Sequence, residues 1–304
     1  MIRSRFVISF VVLGVSAFLW SPAPYALAAF PGHNGRIAFE TGRSDEFDIW
    51  SMMPDGTGRK RLTKTIAEEH SPRYCPDGSR IAFSRNRLSG GQSDIFTMAS
   101  DGTDVVRLTN TPGIFETDPA WSPNSAQIAF TSSKTGKLDI YVMRASDGTH
   151  KRRLTFSPKI DFQPAWSQTN RIAFSSERTG AGDIYVMHAD GTHVKRLTNN
   201  PDFEGQPAWS ADGTHIAFVR LINGKNPEIF VMRADGTHLK RLTRRPATDQ
   251  APAFAPAGNR IAFMSDRGTK QFLDIYTMRT DGTGVRRLTN DGFLDGYPDW
   301  QPRL

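Results

Sequence analysis

The amino-acid sequence predicts an all-β fold: a six-bladed β-propeller of four-stranded blades, closed by pairing of the C-terminal strand with the N-terminal blade. Three observations lead there. The tripeptide Ile-Ala-Phe begins at Ile37, Ile81, Ile128, Ile172, Ile216 and Ile261, at spacings of 44, 47, 44, 44 and 45 residues. That period belongs to propeller blades rather than to helical solenoids. Within each period, short apolar, β-branched and aromatic runs alternate with Gly, Asp, Asn and Pro, as strands and turns require. The third observation is that the two chain ends carry complementary halves of one period.

The unit around Trp209 shows the elements in order. Ala208-Trp209-Ser210 reads as the first strand, His215 to Arg220 as the second, Glu228 to Arg233 as the third and Leu239 to Thr243 as the fourth. Asp-Gly between the third and fourth supplies the positive φ angles of a tight hairpin. Other anchors keep the same register. An acid followed by Ile occurs at Asp48, Asp94, Asp139, Asp183, Glu228 and Asp274. Asp-Gly-Thr begins at Asp55, Asp101, Asp147, Asp190, Asp235 and Asp281, and Arg-Leu-Thr at Arg61, Arg107, Arg153, Arg196, Arg241 and Arg287. A proline two residues before an aromatic stands at Pro72, Pro119, Pro164, Pro207, Pro252 and Pro298. The first Ile-Ala-Phe, at Ile37, lacks a preceding Pro-x-aromatic strand, and the last such strand, Pro298-Asp299-Trp300, lacks a following Ile-Ala-Phe. Pairing these two segments closes the ring and leaves only short outer edges.

Composition narrows the remaining possibilities. The chain has 304 residues with 38 Lys+Arg against 31 Asp+Glu, a formal charge of +7, with 38% hydrophobic and 23% charged residues. This balance excludes a disordered tail and a polytopic membrane protein. The single cysteine, Cys75, excludes an intrachain disulfide and a cysteine-based zinc cluster. Arg3 and Arg5, an apolar run from Phe6 to Trp20 and Ala26-Leu27-Ala28 follow the order of a secretory signal peptide, with cleavage expected after Ala28. The expected division is a leader at 1–28 and a propeller domain at 29–304, giving an exported, periplasmic or secreted monomer without a transmembrane segment after cleavage.

The run Gln206-Pro207-Ala208-Trp209-Ser210-Ala211-Asp212-Gly213, with Ile216-Ala217-Phe218, Ile229-Phe230-Val231-Met232, Asp235-Gly236-Thr237 and Arg241-Leu242-Thr243, resembles the WD-like repeat of the TolB-like propeller family. The resemblance covers roughly Gly35 to Pro302. It implies a six-bladed propeller that binds protein partners, such as the peptidoglycan-associated lipoprotein, over the mouth of its channel. The family's α/β domain ahead of the propeller has no counterpart in Ala29 to Asn34, so the resemblance is to the propeller alone. Similar propellers cap serine peptidases of the prolyl oligopeptidase type, but the sequence holds no Gly-x-Ser-x-Gly elbow.

Three residues before each repeat proline stands a carboxylate: Glu69, Glu116, Asp161, Glu204, Asp249 and Asp295. The expected place for this slot is the loop just ahead of the inner strand, six acids near one channel mouth, with His70, Asp118, Gln163, Gln206 and Tyr297 as a second layer. Converging acids would focus a field that receives a cation or a basic segment of a protein partner. The structural alternative is that each acid accepts backbone N–H groups in its own loop or pairs with an arginine of a neighbouring blade. No cofactor is expected, save a divalent cation such as calcium in the channel, on which an alternative reading as a saccharide or lactone lyase or hydrolase would depend.

Arg43, Arg87, Lys134, Arg178 and Arg267, four beyond the repeat Phe, suggest a latch between blades, perturbed in the fifth by Ile222 and Pro227-Glu228. Met52, Met98, Met143, Met187, Met232 and Met278 read as packing between blades, as do the aromatics of the Pro-x-aromatic slot. His150, His193 and His238 fall on separate hairpins, and the remaining histidines match no metal-ligand spacing. Basic clusters such as Lys151-Arg152-Arg153 lie on the outer strand, where they guard an edge. The aromatics that could stack on bases are committed to the core, so nucleic acid is not an expected partner.

Overall fold

The computed structural model describes residues 27–43, 46–87, 92–268 and 271–303. The expected leader lies outside the described residues, apart from the short strand Leu27–Ala28. Among the described residues no helix is long and apolar enough to cross a membrane.

Six antiparallel four-stranded blades make up the molecule, and the sheet of blade five gains a fifth strand from Leu27–Ala28. From axis to rim, blade one is Leu294–Arg303, His33–Arg43, Glu46–Met52 and Lys60–Arg61. Blade two is Glu69–Tyr74, Arg80–Asn86, Ser93–Ala99 and Val106–Arg107. Blade three is Glu116–Trp121, Gln127–Ser132, Asp139–Arg144 and Arg152–Arg153. Blade four is Asp161–Trp166, Arg171–Ser176, Asp183–His188 and Lys195–Arg196. Blade five is Glu204–Trp209, His215–Ile222, Asn226–Arg233 and Lys240–Arg241. Blade six is Asp249–Phe254, Arg260–Ser265, Asp274–Arg279 and Arg286–Arg287. Each inner strand neighbours the inner strands before and after it, and that of blade six neighbours that of blade one, so the ring closes. The seam is the expected one: the C-terminal strand pairs with His33–Arg43 in the register Ile37↔Trp300 and Ala38↔Asp299.

The inner strands start earlier than the sequence suggests. The residue before each repeat proline stands at positive φ: Ser71 (60°), Asp118 (55°), Gln163 (57°), Gln206 (56°), Ala251 (49°) and Tyr297 (51°). The pairing register shifts at this place in every blade. A proline has no N–H to give to a ladder, so a strand holds one at a bulge. A non-glycine residue in this conformation carries a strain of roughly 1–3 kcal/mol. Four of the six amides at this position find an acceptor on the preceding blade. Ser71 N donates to Glu40 Oε2 (3.1 Å), Gln163 N to Thr131 Oγ1 (3.1 Å), Gln206 N to Gln163 Oε1 (2.9 Å) and Ala251 N to Gln206 Oε1 (2.6 Å). The bulge thus becomes a stitch between blades.

The other anchors also have physical roles. The repeat Ile and Phe side chains are buried in all six second strands, and the repeat Met side chains beside them are buried too. Each Arg-Leu-Thr threonine accepts the amide of the third-strand Ile through its hydroxyl. Its arginine pairs with the acid before that Ile: Arg61–Asp48 2.7 Å, Arg107–Asp94 2.6 Å, Arg153–Asp139 3.1 Å, Arg196–Asp183 2.8 Å, Arg241–Glu228 2.7 Å and Arg287–Asp274 2.6 Å. Side chains therefore fasten an outer strand of two residues that a backbone ladder alone would hold weakly.

The turn aspartates accept both the amide and the hydroxyl of the following Thr, as at Asp55–Thr57 and Asp235–Thr237. Their glycines press on the preceding blade: a Cβ on Gly102 would stand 2.6 Å from the carbonyl oxygen of Leu62, and one on Gly282 2.7 Å from that of Leu242. The outer-strand bases reach the next blade's turn, Lys60 Nζ to Asp101 O (2.7 Å), Arg152 to Asp190 O (2.8 Å) and Arg286 to Asp55 O (3.0 Å). The basic clusters are inter-blade clamps as well as edge guards.

The expected latch between blades is corrected for three of its bases, which act within a blade; the Arg43 side chain lies outside the described residues. Arg87 pairs with Asp94, Arg178 with Asp161 and Arg267 with Asp249, because each base follows closely on the second strand of the blade that carries its acid.

Trp300 is buried at the seam. Trp300→Ala should lower the unfolding free energy by about 3–5 kcal/mol in urea denaturation. A loss within the ordinary surface range of about 0.5 kcal/mol would mean that the seam does not hold the ring.

Candidate ligand-binding mouth of the channel

The six repeat acids open the inner strands instead of lying on the loops ahead of them, because the bulge lets the strand continue past the proline. All six are buried. Four are paired inside their own blade: Glu69 with Arg85 (2.8 Å), Asp161 with Arg178 (2.9 Å), Glu204 with Arg220 (2.7 Å) and Asp249 with Arg267 through both oxygens (2.6 and 2.7 Å). Glu69 also accepts from the Thr65 hydroxyl. Burial raises Glu116, Glu204 and Asp249 above the usual carboxylate range, and the arginines beside the last two pull back. Asp295 is pushed up to about 6 by burial, with the nearby Thr41 and Thr289 hydroxyls and the Arg59 charge pulling back. Removing one member of such a buried pair typically costs 3–5 kcal/mol (~2–4 powers of ten in the folding equilibrium), so the four paired acids hold the starts of blades two, four, five and six.

A different group of charges is not repeated. Blades three to six carry Ala120, Ala165, Ala208 and Ala253 in the slot before the inner aromatic, whereas blade two has Arg73 and blade one Asp299. Glu40 fills the slot after Ile-Ala-Phe that holds Ser84, Thr131, Ser175, Val219 and Met264 elsewhere. Arg73, Asp299, Glu40, His70 and Asp118 are all buried.

Their contacts join blades one to four. His70 Nδ1 stands 3.3 Å from Glu40 Oε2 and its Nε2 3.7 Å from Glu68. Burial disfavours the His70 charge, but Glu40 and Glu68 outweigh it and raise its pKa to about 9. Asp299 Oδ2 accepts the amide of Tyr74 at 2.7 Å. Burial pushes Asp299 up to about 7, against the Arg73 charge. Asp118 Oδ2 accepts the Thr131 hydroxyl at 2.7 Å, and Thr131 in turn accepts the Gln163 amide. Burial pushes Asp118 up to about 8, against Thr131 and Arg73. Its Oδ1, the Ser71 hydroxyl and Gln163 Nε2 are buried without a hydrogen-bond partner.

Of the sequence-predicted residues, the structure brings His70 and Asp118 into this group, places Glu69, Asp161, Glu204 and Asp249 in separate blade latches and buries Glu116 and Asp295 at the starts of their inner strands. The sequence reading missed Arg73, Asp299 and Glu40, which comparison of repeat slots could have found. At the same end, the loops arriving at the inner strands of blades two and four expose Ile66 (70%) and Phe156 (73%), with the Arg153 guanidinium 4.7 Å over the Phe156 ring. Among the described residues no group of three or more His, Cys, Asp or Glu side chains could hold a metal ion.

A family profile described as "TolB beta propeller domain" matches residues 109–226 and 198–303. The chain belongs to that family. A curated "Protein TolB homolog" of Chlorobium luteolum is 34% identical over 131 residues, 43% of this chain and 29% of the relative. A "Tol-Pal system protein TolB" of Gluconobacter oxydans is 34% identical over 92 residues, 29% of this chain and 20% of the relative. The matched segments thus span less than a third of the length of these curated TolB relatives. The crystal structure of TolB from Acinetobacter baumannii superposes with a TM-score of 0.77 at 24% identity, over 88% of this chain and 67% of that one, which shows the shared TolB propeller fold.

The buried groups set a pH dependence. An acid whose folded pKa is raised binds more protons folded than unfolded, so Asp118 lowers stability as pH rises between about 4 and about 8. His70 stabilises the fold fully below its ordinary value of 6.5 and loses that contribution as pH rises through about 9. Both act in one direction. Thermal unfolding followed by circular dichroism should show a higher midpoint at pH 5.5 than at pH 9, and Asp118→Asn should reduce the difference. An unchanged pH profile in the variant would contradict the assigned burial of this carboxyl.

Proposed function

We propose that this propeller is a non-enzymatic binding module of the cell envelope, exported to the periplasm, that captures a protein or peptide segment over the acid end of its channel. The observation that carries the reading is the asymmetry of the ring. A fold repeats its latches, and four of the six acids are spent on them, in blades two, four, five and six. A ligand approaches from one direction and needs its contacts on one side. The charges that break the repeat, Glu40, His70, Arg73, Asp118 and Asp299, gather on blades one to three. Ile66 and Phe156 stand exposed on the loops above them, in the manner of apolar anchors around a polar centre.

Family membership supports the same reading. One curated relative is named as a Tol-Pal system protein, and an envelope partner fits an exported chain. The acids contribute by fixing the inner strands on which His70 and Asp118 stand, and Asp118, with an unpartnered buried oxygen, offers a hydrogen bond to an inserted polar group.

The test uses the two exposed anchors, whose loss should leave the fold intact. Ile66→Ser combined with Phe156→Ser should weaken cross-linked capture of envelope proteins from the native host by at least tenfold, about 1.4 kcal/mol, with an unfolding midpoint like that of the parent. Equal capture by parent and variant would overturn the assignment of this end as the docking face.

A further inference from the structure

The end of the channel away from the acids is occupied by the chain itself. Leu27–Ala28 adds to the inner strand of blade five as a parallel strand, in the register Leu27↔Ala208 and Ala28↔Trp209. The Ala29 amide continues the pairing and donates to the Trp209 carbonyl at 3.2 Å. Ala29 and Phe30 are then buried, at 5% and 4% exposure. These two neighbours serve different parts of the ring. Ala29 joins the apolar cluster of Ala208, Ala211, Phe254 and Trp300 in blades five, six and one. Phe30 joins that of Cys75, Trp121 and Ile128 in blades two and three. Two consecutive residues that reach both clusters span the opening between them.

The chemistry of the slot follows from the fold. An inner strand has a paired side toward its blade and an unpaired backbone edge toward the axis, which can accept an extended segment. The wall beside that edge is built of small residues, Ala208 and Ala211, so it admits small side chains. Across the opening, the Cys75–Trp121–Ile128 cluster admits an aromatic ring. Beyond Phe30 the chain leaves at Gly32 and Gly35, where a Cβ would stand 2.7 Å from the carbonyl oxygens of Arg303 and Gln301 respectively. Only glycine lets the segment lie this close to the C-terminal strand.

We propose that this end of the channel is a peptide-binding site for an extended segment that ends in a small residue and an aromatic, occupied in cis by residues 27–30 of the uncut chain and by Ala29 and Phe30 once the leader is removed. The segment closes this end of the channel, so a partner held over the acid end meets a blind cavity. The site stands independently of the docking reading at the acid end. A cut after Ala28 leaves both buried residues, Ala29 and Phe30, on the propeller.

The test reads the single cysteine, which is buried in the cluster that receives Phe30. In the full chain, Phe30→Asp places a charge where the ring lies and should expel the segment. Native Cys75 should then react with a disulfide reagent about tenfold faster or more, the effect of losing the transfer free energy of one buried aromatic. A capped synthetic peptide with the sequence of residues 27–31 should return the rate toward that of the parent, and the same peptide with Phe30→Ala should not. Phe30→Ala in the protein, which adds no charge, should give an intermediate rate. Equal rates in the parent and both variants, or acceleration that the peptide does not reverse, would overturn the proposal.

Discussion

One pairing holds the ring: the ten-residue C-terminal strand Leu294–Arg303 against His33–Arg43. Without it, six sheets in series form an open arc with an unpaired inner strand at one end and an unpaired second strand at the other. The pairing joins the chain's two ends and carries more than closure. Asp299 lies on one strand of the seam and Glu40 on the other, and both reach into blade two, to the Tyr74 amide and to His70. The unrepeated charges of the channel are thus assembled where the chain meets itself. Positioning them depends on the seam being shut.

Repetition separates what the fold requires from what it does not. The threonine that accepts an amide, the arginine that grips an acid, the aspartate that closes a turn and the glycine that admits a neighbouring carbonyl recur blade after blade. Each has a partner within its own blade or the next. The positive-φ residue before the repeat proline belongs with them, since its strain is offset in four blades by an inter-blade hydrogen bond. Arg73, Asp299 and Glu40 have no such excuse. They occupy slots where alanine, serine, threonine, valine or methionine serve other blades, and burying charge there costs stability that packing alone would have kept.

The sequence made the architecture legible because each anchor has a local cause repeated six times. Ile-Ala-Phe, Asp-Gly-Thr and Arg-Leu-Thr located the second strand, the hairpin and the outer strand without any long-range information. The inner strand was misjudged by several residues, since Gly205-Gln206-Pro207 looks like a turn and is in fact a bulge within Glu204–Trp209. Placing the acids on loops leaves open whether each faces a ligand or pairs with an arginine, because it hides that four of them start a strand whose own blade supplies the base. The charge cluster escaped notice because its members lie far apart in the chain; Tyr74 and Asp299 are 225 residues apart. Only comparison of one slot across blades exposes it. The occupied far end of the channel leaves no periodic trace, since residues 27–30 belong to no repeat.

The central claim is that the ring is asymmetric in use although symmetric in build, with blades one to three and the loop entering blade four forming the docking side of the acid end. Cross-linking mass spectrometry of the protein with a captured envelope partner tests this most directly. Lys64 and Lys134 stand exposed on acid-end loops of this side, whereas Lys195 and Lys240 lie on outer strands of blades four and five. The account predicts partner cross-links concentrated on Lys64 and Lys134. Cross-links spread evenly around the ring, or concentrated on the outer strands, would contradict it.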